Sequence, residues 1–274
     1  MAPRLLGITI YPIKSLDGHD LTAAQVLPHA GLSHDRRWRL VDMEGRVVNA
    51  KRTPLIHTIR ASFDLEQRLV TLWYDASPPE TFPIQPGSHG PCDWLSEALG
   101  MAVLLDERNG GFPDDTDAPG PTLTTTATLE LVANWFGCEL QETRRRFRCN
   151  LEVDQTTAFW EDTLASPMRP HAQTDLPADP YATLPPPEPL RFRIGEVMLR
   201  ATGVCRRCVV PTRKSRSGEP EIGFREAFEA RRRQTLPKNV DAAAWHNLYR
   251  LGINTVVINQ TPVTLAINAP LDLG

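Results

Sequence analysis

The first half of the chain alternates. Apolar and polar residues take turns at near period two through Leu5–Pro12, Leu21–Leu27, Arg37–Asp42, Thr58–Asp64 and Leu69–Tyr74, with β-branched or aromatic residues recurring among them. That period predicts short, half-buried strands. Asp17-Gly18, Ala30-Gly31, Glu44-Gly45 and Glu66-Gln67 separate them as turns. Short strands with short turns predict an all-β sheet or barrel in this half. Asp93–Gly100 follows as a short helix ended by its glycine. The second half is mixed. Thr126–Trp135 carries Leu129, Leu131, Val132 and Trp135 and reads as a helix capped by a threonine. Phe147–Val153 and Phe192–Thr202 read as strands, and Val204–Val210 as a strand interrupted by two cysteines. Gly223–Gln234 and Val240–Leu248 are expected to be helical, and Asn254–Asn259 and Val263–Ile267 to be closing strands. The pattern has no internal repeat and no heptad. The expected fold class is mainly β with attached helices (α+β).

Composition sharpens this picture in a few places. A length of 274 residues suits about two domains. Proline is the outlier at 25 residues, concentrated at about Ser77–Pro91 and Pro167–Pro189. The second stretch contains Pro185-Pro186-Pro187-Glu188-Pro189, which cannot pack as a helix or central strand, so about 166–190 reads as an exposed insert. A formal net charge of -3 gives no global pull toward nucleic acid. Arg144–Arg148 interleaves basic residues with one phenylalanine, too thin a basis for a single-strand binder. No apolar run approaches the roughly 18–20 residues of a bilayer crossing, so no membrane association is expected. The opening Met1–Ile10 reads as a first strand rather than a signal peptide. Five scattered cysteines suit a reducing compartment, and the expected location is cytoplasmic.

Cys205-Arg206-Arg207-Cys208 is the sharpest local feature. A structural zinc site needs about four ligands, and no second Cys-x-x-Cys exists here. A thioredoxin-type pair opens a helix, whereas this one runs into Val209-Val210-Pro211. What remains is either buried strand cysteines or a reactive thiolate in a positive field, since Arg206, Arg207, Arg213, Lys214 and Arg216 surround it in sequence. Further basic groups at Lys51-Arg52, Asp35-Arg36-Arg37-Trp38 and Arg144–Arg148 suggest an anionic ligand, one that carries phosphate, because guanidinium forks match phosphate oxygens. No phosphate-binding Gly-x-x-x-x-Gly-Lys or Gly-x-Gly-x-x-Gly is present.

Tyr11-Pro12-Ile13-Lys14-Ser15, Gly31-Leu32 with Asp35-Arg36-Arg37-Trp38, and the Asp42 to Gly45 turn resemble the β domain that precedes MOSC domains. Phe147-Arg148-Cys149-Asn150, Ala158-Phe159 with Glu161-Asp162, Ile194-Gly195 and Cys205 to Cys208 resemble the MOSC domain itself, named for the C-terminal domain of molybdenum cofactor sulfurase. The resemblance implies a MOSC β-barrel over 119–274 beside a smaller N-terminal β domain over 1–118. Relatives include amidoxime-reducing components and bacterial N-hydroxylated-base reductases. They bind the molybdenum cofactor (molybdopterin), a pterin phosphate whose dithiolene holds molybdenum, with one cysteine as a further metal ligand. By motif position that ligand is Cys208. Lys14, Ser15, Arg36, Arg148, Asn150, Arg206 and Arg207 match cofactor contacts, with Thr125 and Thr126 as further counterparts. Asp162 is implied as a catalytic residue orienting cofactor or water, or else as a turn cap. The implied activity is a molybdenum-dependent oxidoreductase that takes oxygen from a small N-hydroxylated substrate.

Several residues depart from the family pattern. Cys149 replaces the proline of Phe-Arg-Pro-Asn and restores a backbone N–H and a thiol. After Cys208 relatives often read Thr-Thr-x-Asp-Pro-x-Thr-Gly. Here Val210–Gly218 keeps Thr212 and Gly218, lacks the aspartate and is markedly more basic. Thr261–Asn268 replaces the usual Gly-x-x-x-x-Gly-Asp ending. No Cys-x4-Cys-x2-Cys cluster motif follows, so a separate electron-transfer protein is the expected partner. The alternatives are a cofactor or sulfur carrier with persulfide on a cysteine, and a non-catalytic binder of MOSC fold. Pyridoxal phosphate is linked to MOSC domains by family association alone.

Overall fold

The computed structural model describes residues 2–74, 77–85, 88–165, 190–238, 240, 242 and 245–273. The proline-rich insert at about 166–190 lies, but for Leu190, outside the described residues. An eight-stranded sheet, curled as a half-barrel, dominates the fold. Its strands run in the order Leu271–Asp272, Arg191–Ile194, Val197–Arg206, Arg250–Val257, Leu123–Thr125, Leu151–Val153, Leu5–Ile10 and His19–Leu21. Leu123–Thr125 pairs parallel with Leu151–Val153; the other pairs are antiparallel. The first strand of the chain therefore sits among strands of the second half. Its alternation explains this: Leu5, Ile8 and Ile10 are at most 1% exposed and pack with Leu151, Val153, Leu199 and Ile253 in one core. Ala23–Val26 likewise pairs with Val263–Ala266.

Two three-stranded sheets complete the N-terminal part. One joins Val47–Val48, Trp38–Val41 and Leu104–Glu107, and the other joins Ile59–Asp64, Leu69–Tyr74 and Glu80–Pro83. Their core contains Trp38, Leu40, Ile56, Ile59, Val70 and Leu72, closed by the helix α1 (His89–Leu99) through Leu95 and Leu99. Gly100 ends α1 at φ +63°, the left-handed conformation that lets the last carbonyls find N–H partners.

Helix α2 (Thr126–Phe136) is capped as expected by a threonine, since Thr125 accepts from the Thr128 N–H. Helix α3 (Leu140–Phe147) was not legible, and it corrects the expected strand Phe147–Val153. Phe147 ends α3, and only Leu151–Val153 is strand. Glu142 and Arg146, four residues apart at 2.8 Å, stabilise the helix on a run that looks merely basic in sequence. The expected strand Phe192–Thr202 is a hairpin turning at Gly195 (φ +57°), with strands Arg191–Ile194 and Val197–Arg206. The interrupted strand Val204–Val210 stops at Arg206, and Pro211 holds the 3-10 turn Val210–Thr212 beyond it. A short helix α4 (Asp162–Ala165) precedes the insert, and α5 (Phe224–Gln234) matches its expectation. The described residues of Val240–Leu248 are not helical; Trp245 there packs against the large core and receives Arg250 at 5.5 Å. No helix among the described residues is long and apolar enough to cross a membrane.

Candidate functional site

A cleft of about 980 Å³ opens where the large sheet meets the smaller ones. That is the upper range of small-molecule sites, roughly 300–1,000 Å³. Its first wall is a locked turn. Asp35 accepts the Tyr11 N–H at 2.8 Å, the Arg36 N–H donates to the Tyr11 carbonyl at 2.9 Å, and the Lys14 N–H donates to the Trp38 carbonyl at 2.8 Å. This places Lys14, Ser15 and Arg36 on the cleft. Ser15 (φ +78°), Arg36 (φ +49°) and Arg148 (φ +52°) are all left-handed residues other than glycine. Such backbone costs of order 1–3 kcal/mol each and concentrates at functional sites.

Arg36 is paired with Asp35 and reaches Asp114 at 3.4 Å, and Lys14 pairs with Asp114 at 2.8 Å. Desolvation works to raise the Asp114 carboxyl pKa, but Arg36 and Lys14 outweigh it and hold the group ionised well below the usual range. Asn150 is a bracket rather than a free contact. Its Oδ1 accepts from the Thr122 N–H at 3.2 Å and from Arg36 at 3.4 Å, and its Nδ2 donates to the Thr9 carbonyl at 3.0 Å.

Arg148 arises differently. It is the left-handed cap of α3, its N–H donating to the Arg144 carbonyl at 2.9 Å. The guanidinium lies 4.0 Å over the Tyr11 ring and has no hydrogen bond or ion pair among the described residues. Burial lowers its pKa, partly offset by Tyr11. A cation facing a cleft without a carboxylate is an anion site in waiting. Tyr11 itself is pushed up by burial and donates to the Cys149 carbonyl at 3.2 Å.

The cysteine pair splits at the end of its strand. Cys205 is still in Val197–Arg206, while Cys208 has left it, half-buried on the cleft. The Val210 N–H donates to the Cys208 sulfur at 3.5 Å. Arg206 is exposed at the rim with no side-chain partner among the described residues. Arg207 is spent inside. It donates to the Leu251 carbonyl at 2.9 Å, to the Phe147 carbonyl at 2.8 Å and to the Cys149 sulfur at 3.1 Å. Burial raises the Cys149 pKa against the pull of Arg207. Among the described residues no group of three or more His, Cys, Asp or Glu side chains gathers as a metal cage. A metal here would depend on Cys208 and on a ligand set brought by a cofactor.

The structure gathers Lys14, Ser15, Arg36, Arg148, Asn150, Arg206, Arg207 and Cys208 around one cleft. It does not place Thr125, Thr126 or Asp162 there. The Thr125 hydroxyl is turned to its own helix N-terminus and to Glu161 at 3.2 Å, and the Thr126 hydroxyl donates to Glu152 at 2.7 Å; Thr122 and Thr124 border the cleft instead. Asp162 is fully buried and paired with the equally buried Arg232, away from the cleft. Burial pushes the Arg232 pKa down to about 10, with Glu161 opposing. Asp114 and Thr124 are cleft residues that the motifs missed; no spacing marks them, because a loop and a separate strand bring them in, while Tyr11 stands in the first motif without a role assigned to it.

Residues 2–100 match the family described as the MOSC N-terminal beta barrel domain. The chain is homologous, at modest identity, to molybdenum cofactor sulfurases. It is 26% identical to that of Drosophila mojavensis over 252 residues, covering 80% of this chain and 29% of the relative. The Drosophila melanogaster protein matches at 26% over 249 residues, with the same coverage of both chains. Molybdenum cofactor sulfurase 2 of Culex quinquefasciatus is 30% identical over 87 residues, 32% of this chain and 11% of that one. The chain thus spans about 29% of the length of these two Drosophila relatives. Among solved structures, a hypothetical protein at 12% identity aligns over 100% of this chain and 68% of its own with a TM-score of 0.41. The YUAD protein of Bacillus subtilis, also 12% identical, covers 99% and 94% with a TM-score of 0.38.

Proposed function

We propose that this chain holds the molybdenum cofactor in the cleft and reduces small N-hydroxylated compounds with electrons from a separate donor protein. The observation that carries this reading is the meeting, in one cleft, of a half-buried thiol at Cys208 and an unpartnered guanidinium at Arg148. The donor set fits the group. A thiolate suits a soft metal, and Lys14, Arg36 and Arg148 suit phosphate and pterin oxygens. Bound there, the cofactor supplies the two-electron chemistry that removes oxygen from nitrogen. The chain's own residues do the rest. Cys208 would offer its sulfur to the metal, held in place by the Val210 N–H. Arg148 and Lys14 hold the anionic end, and Asn150 keeps Arg36 aimed. Arg207 fixes the segment Phe147 to Cys149 from behind.

The test is molybdenum and pterin content per chain, from a host that makes the cofactor, beside Cys208→Ser. Near-stoichiometric molybdenum is expected in the parent, with loss of both metal and turnover of N-hydroxylated bases in the variant. No metal in either protein would sink the reading.

A second reading is a sulfur carrier. It draws on the relatives' name, molybdenum cofactor sulfurase, and on two more thiols, Cys149 and Cys205, bordering the same cleft. It requires transferable sulfur on Cys208 and no reductase turnover; mass spectrometry of the unreduced protein reads the persulfide directly.

A further inference from the structure

The cleft has another wall that the cofactor reading leaves unused. The basic loop after Cys208 folds back against the N-terminal part. Gly218 sits at φ +72° directly on the Pro54 carbonyl, where a Cβ would collide. Arg213 donates to the Ala50 carbonyl at 2.6 Å, and Arg60 donates to the Ser215 carbonyl at 3.4 Å and pairs with Asp17 at 3.1 Å. From α3, Arg145 donates to the Ser215 hydroxyl at 2.9 Å, and Glu142 accepts the Ser215 N–H at 2.9 Å. Three separate parts of the chain thus bring Arg60, Arg145 and Arg216 to one wall, beside Arg148.

The charge there is not balanced. Asp17 pairs with Arg60, and Glu142 is shared by Arg145, Arg146 and Ser215. Arg216 is exposed and has no partner among the described residues, and neither has the Arg148 guanidinium. Burial lowers the Arg60 pKa, and Arg216 and Arg145 lower it further against Asp17, as expected of crowded cations. His57 lines the same wall at 9% exposure, and its Nε2 has no hydrogen-bond partner. A wall rich in cations, with a buried unpartnered imidazole, is built for an anion that the protein does not itself provide.

We propose that this wall is an anion-recognition subsite, and that the small molecule brought to Cys208 carries a carboxylate or phosphate engaged by Arg216 and Arg145. The subsite stands on the geometry alone; its service to a substrate rests on the cofactor reading above. The same chemistry has another source, the phosphate of the cofactor itself, and the experiment separates the two.

Calorimetric titration with inorganic phosphate is the first arm, comparing the parent chain, Arg216→Glu and Lys14→Ala. Arg216 is exposed, so its reversal does not threaten folding. Phosphate binding at the wall is expected to weaken by about tenfold or more in Arg216→Glu and to persist in Lys14→Ala. Equal binding by the parent and Arg216→Glu, or complete loss in Lys14→Ala, overturns the subsite. The cofactor-loaded protein is the second arm. Phosphate must still bind it; exclusion by the loaded cofactor would hand the wall to the cofactor's phosphate and overturn the substrate assignment. The last arm compares two N-hydroxylated amidines of similar size, one bearing a carboxylate. The ratio of kcat/KM for the anionic over the neutral compound is expected to fall about tenfold in Arg216→Glu; an unchanged ratio also overturns the assignment. Absence of molybdenum and of turnover with either compound would defeat the cofactor reading, while the phosphate titration would still judge the wall.

Discussion

Two polar clusters in this protein have nearly the same ingredients and opposite fates. One gathers Glu161, Asp162, Arg232 and the hydroxyls of Thr124, Thr125 and Thr128 inside the second half of the chain. The other gathers Arg36, Arg148, Asp114 and Cys208 on the cleft. In the first, protein groups answer protein groups: Glu161 accepts from Thr124 at 2.9 Å and Thr128 at 3.0 Å, and Asp162 meets Arg232, with both side chains fully buried, although Asp162 Oδ1 and Arg232 Nε are left without a hydrogen-bond partner among the described residues. Burial raises the Glu161 pKa, as it must for a carboxyl enclosed this way. In the second, a guanidinium rests on Tyr11 without a carboxylate, and a thiol stays half-open. A closed cluster is costly to break one partner at a time; an open one is completed only by something from outside.

The contrast can be broken most sharply at Asp162. Asp162→Ala leaves Arg232 buried without its partner and is expected to cost about 3 kcal/mol or more, read as a lowered urea midpoint. A loss below about 1 kcal/mol would mean that the buried pair is not holding the fold. The pH dependence tests the wall beside the cleft. Burial, then the charges of Arg148, Arg213 and Arg60, push His57 down to about 4. A folded pKa below the unfolded value of about 6.5 means the unfolded chain takes up the proton first. Stability is therefore complete above about 6.5 and declines as pH falls toward 4. His57→Gln should remove that part of the decline between pH 6.5 and 4.5, above the range where Glu142 joins in. An unaltered slope in urea melts over that window would refute it. The smallest effect on stability is expected at Arg148. Arg148→Gln should change the urea midpoint by no more than about 0.5 kcal/mol. Its pterin content, read by fluorescence of the released cofactor, should nevertheless drop about tenfold. A large loss of stability with unchanged pterin would move Arg148 into the closed class.

Much of the fold was legible because strands with one buried face carry it in their alternation. Ile59–Asp64 and Leu69–Tyr74 fall where period two put them, and Thr125 caps α2 because a threonine before an apolar-periodic run has few other uses. Helix α3 was hidden because its buried side includes Thr143, which meets the Cys138 sulfur, and Arg146, which is held by Glu142 and Glu221 rather than by apolarity. The hairpin at Gly195 was hidden because a strand and its return share one period across a tight turn. The site divided along similar lines. Motif residues such as Lys14, Arg36, Arg148 and Cys208 reached the cleft. Asp162 did not, since a carboxylate in a motif looks the same whether its partner is a cofactor or Arg232.

The sequence by itself determined the strand-rich class, the caps of α1 and α2, and the residue types at the cleft. Those depend on neighbours within a few positions, where backbone geometry and burial period act directly. Only the tertiary structure decided which arginines are free. Arg207 and Arg148 stand one residue from a cysteine each, in equally basic runs. Arg207 is consumed by the carbonyls of Leu251 and Phe147, while Arg148 is left facing the cleft at the end of α3. A guanidinium's availability is set by which carbonyls and carboxylates come within about 3 Å of it. Those partners arrive here from segments some forty to sixty residues away, separations of 44 and 60 for the two carbonyls of Arg207.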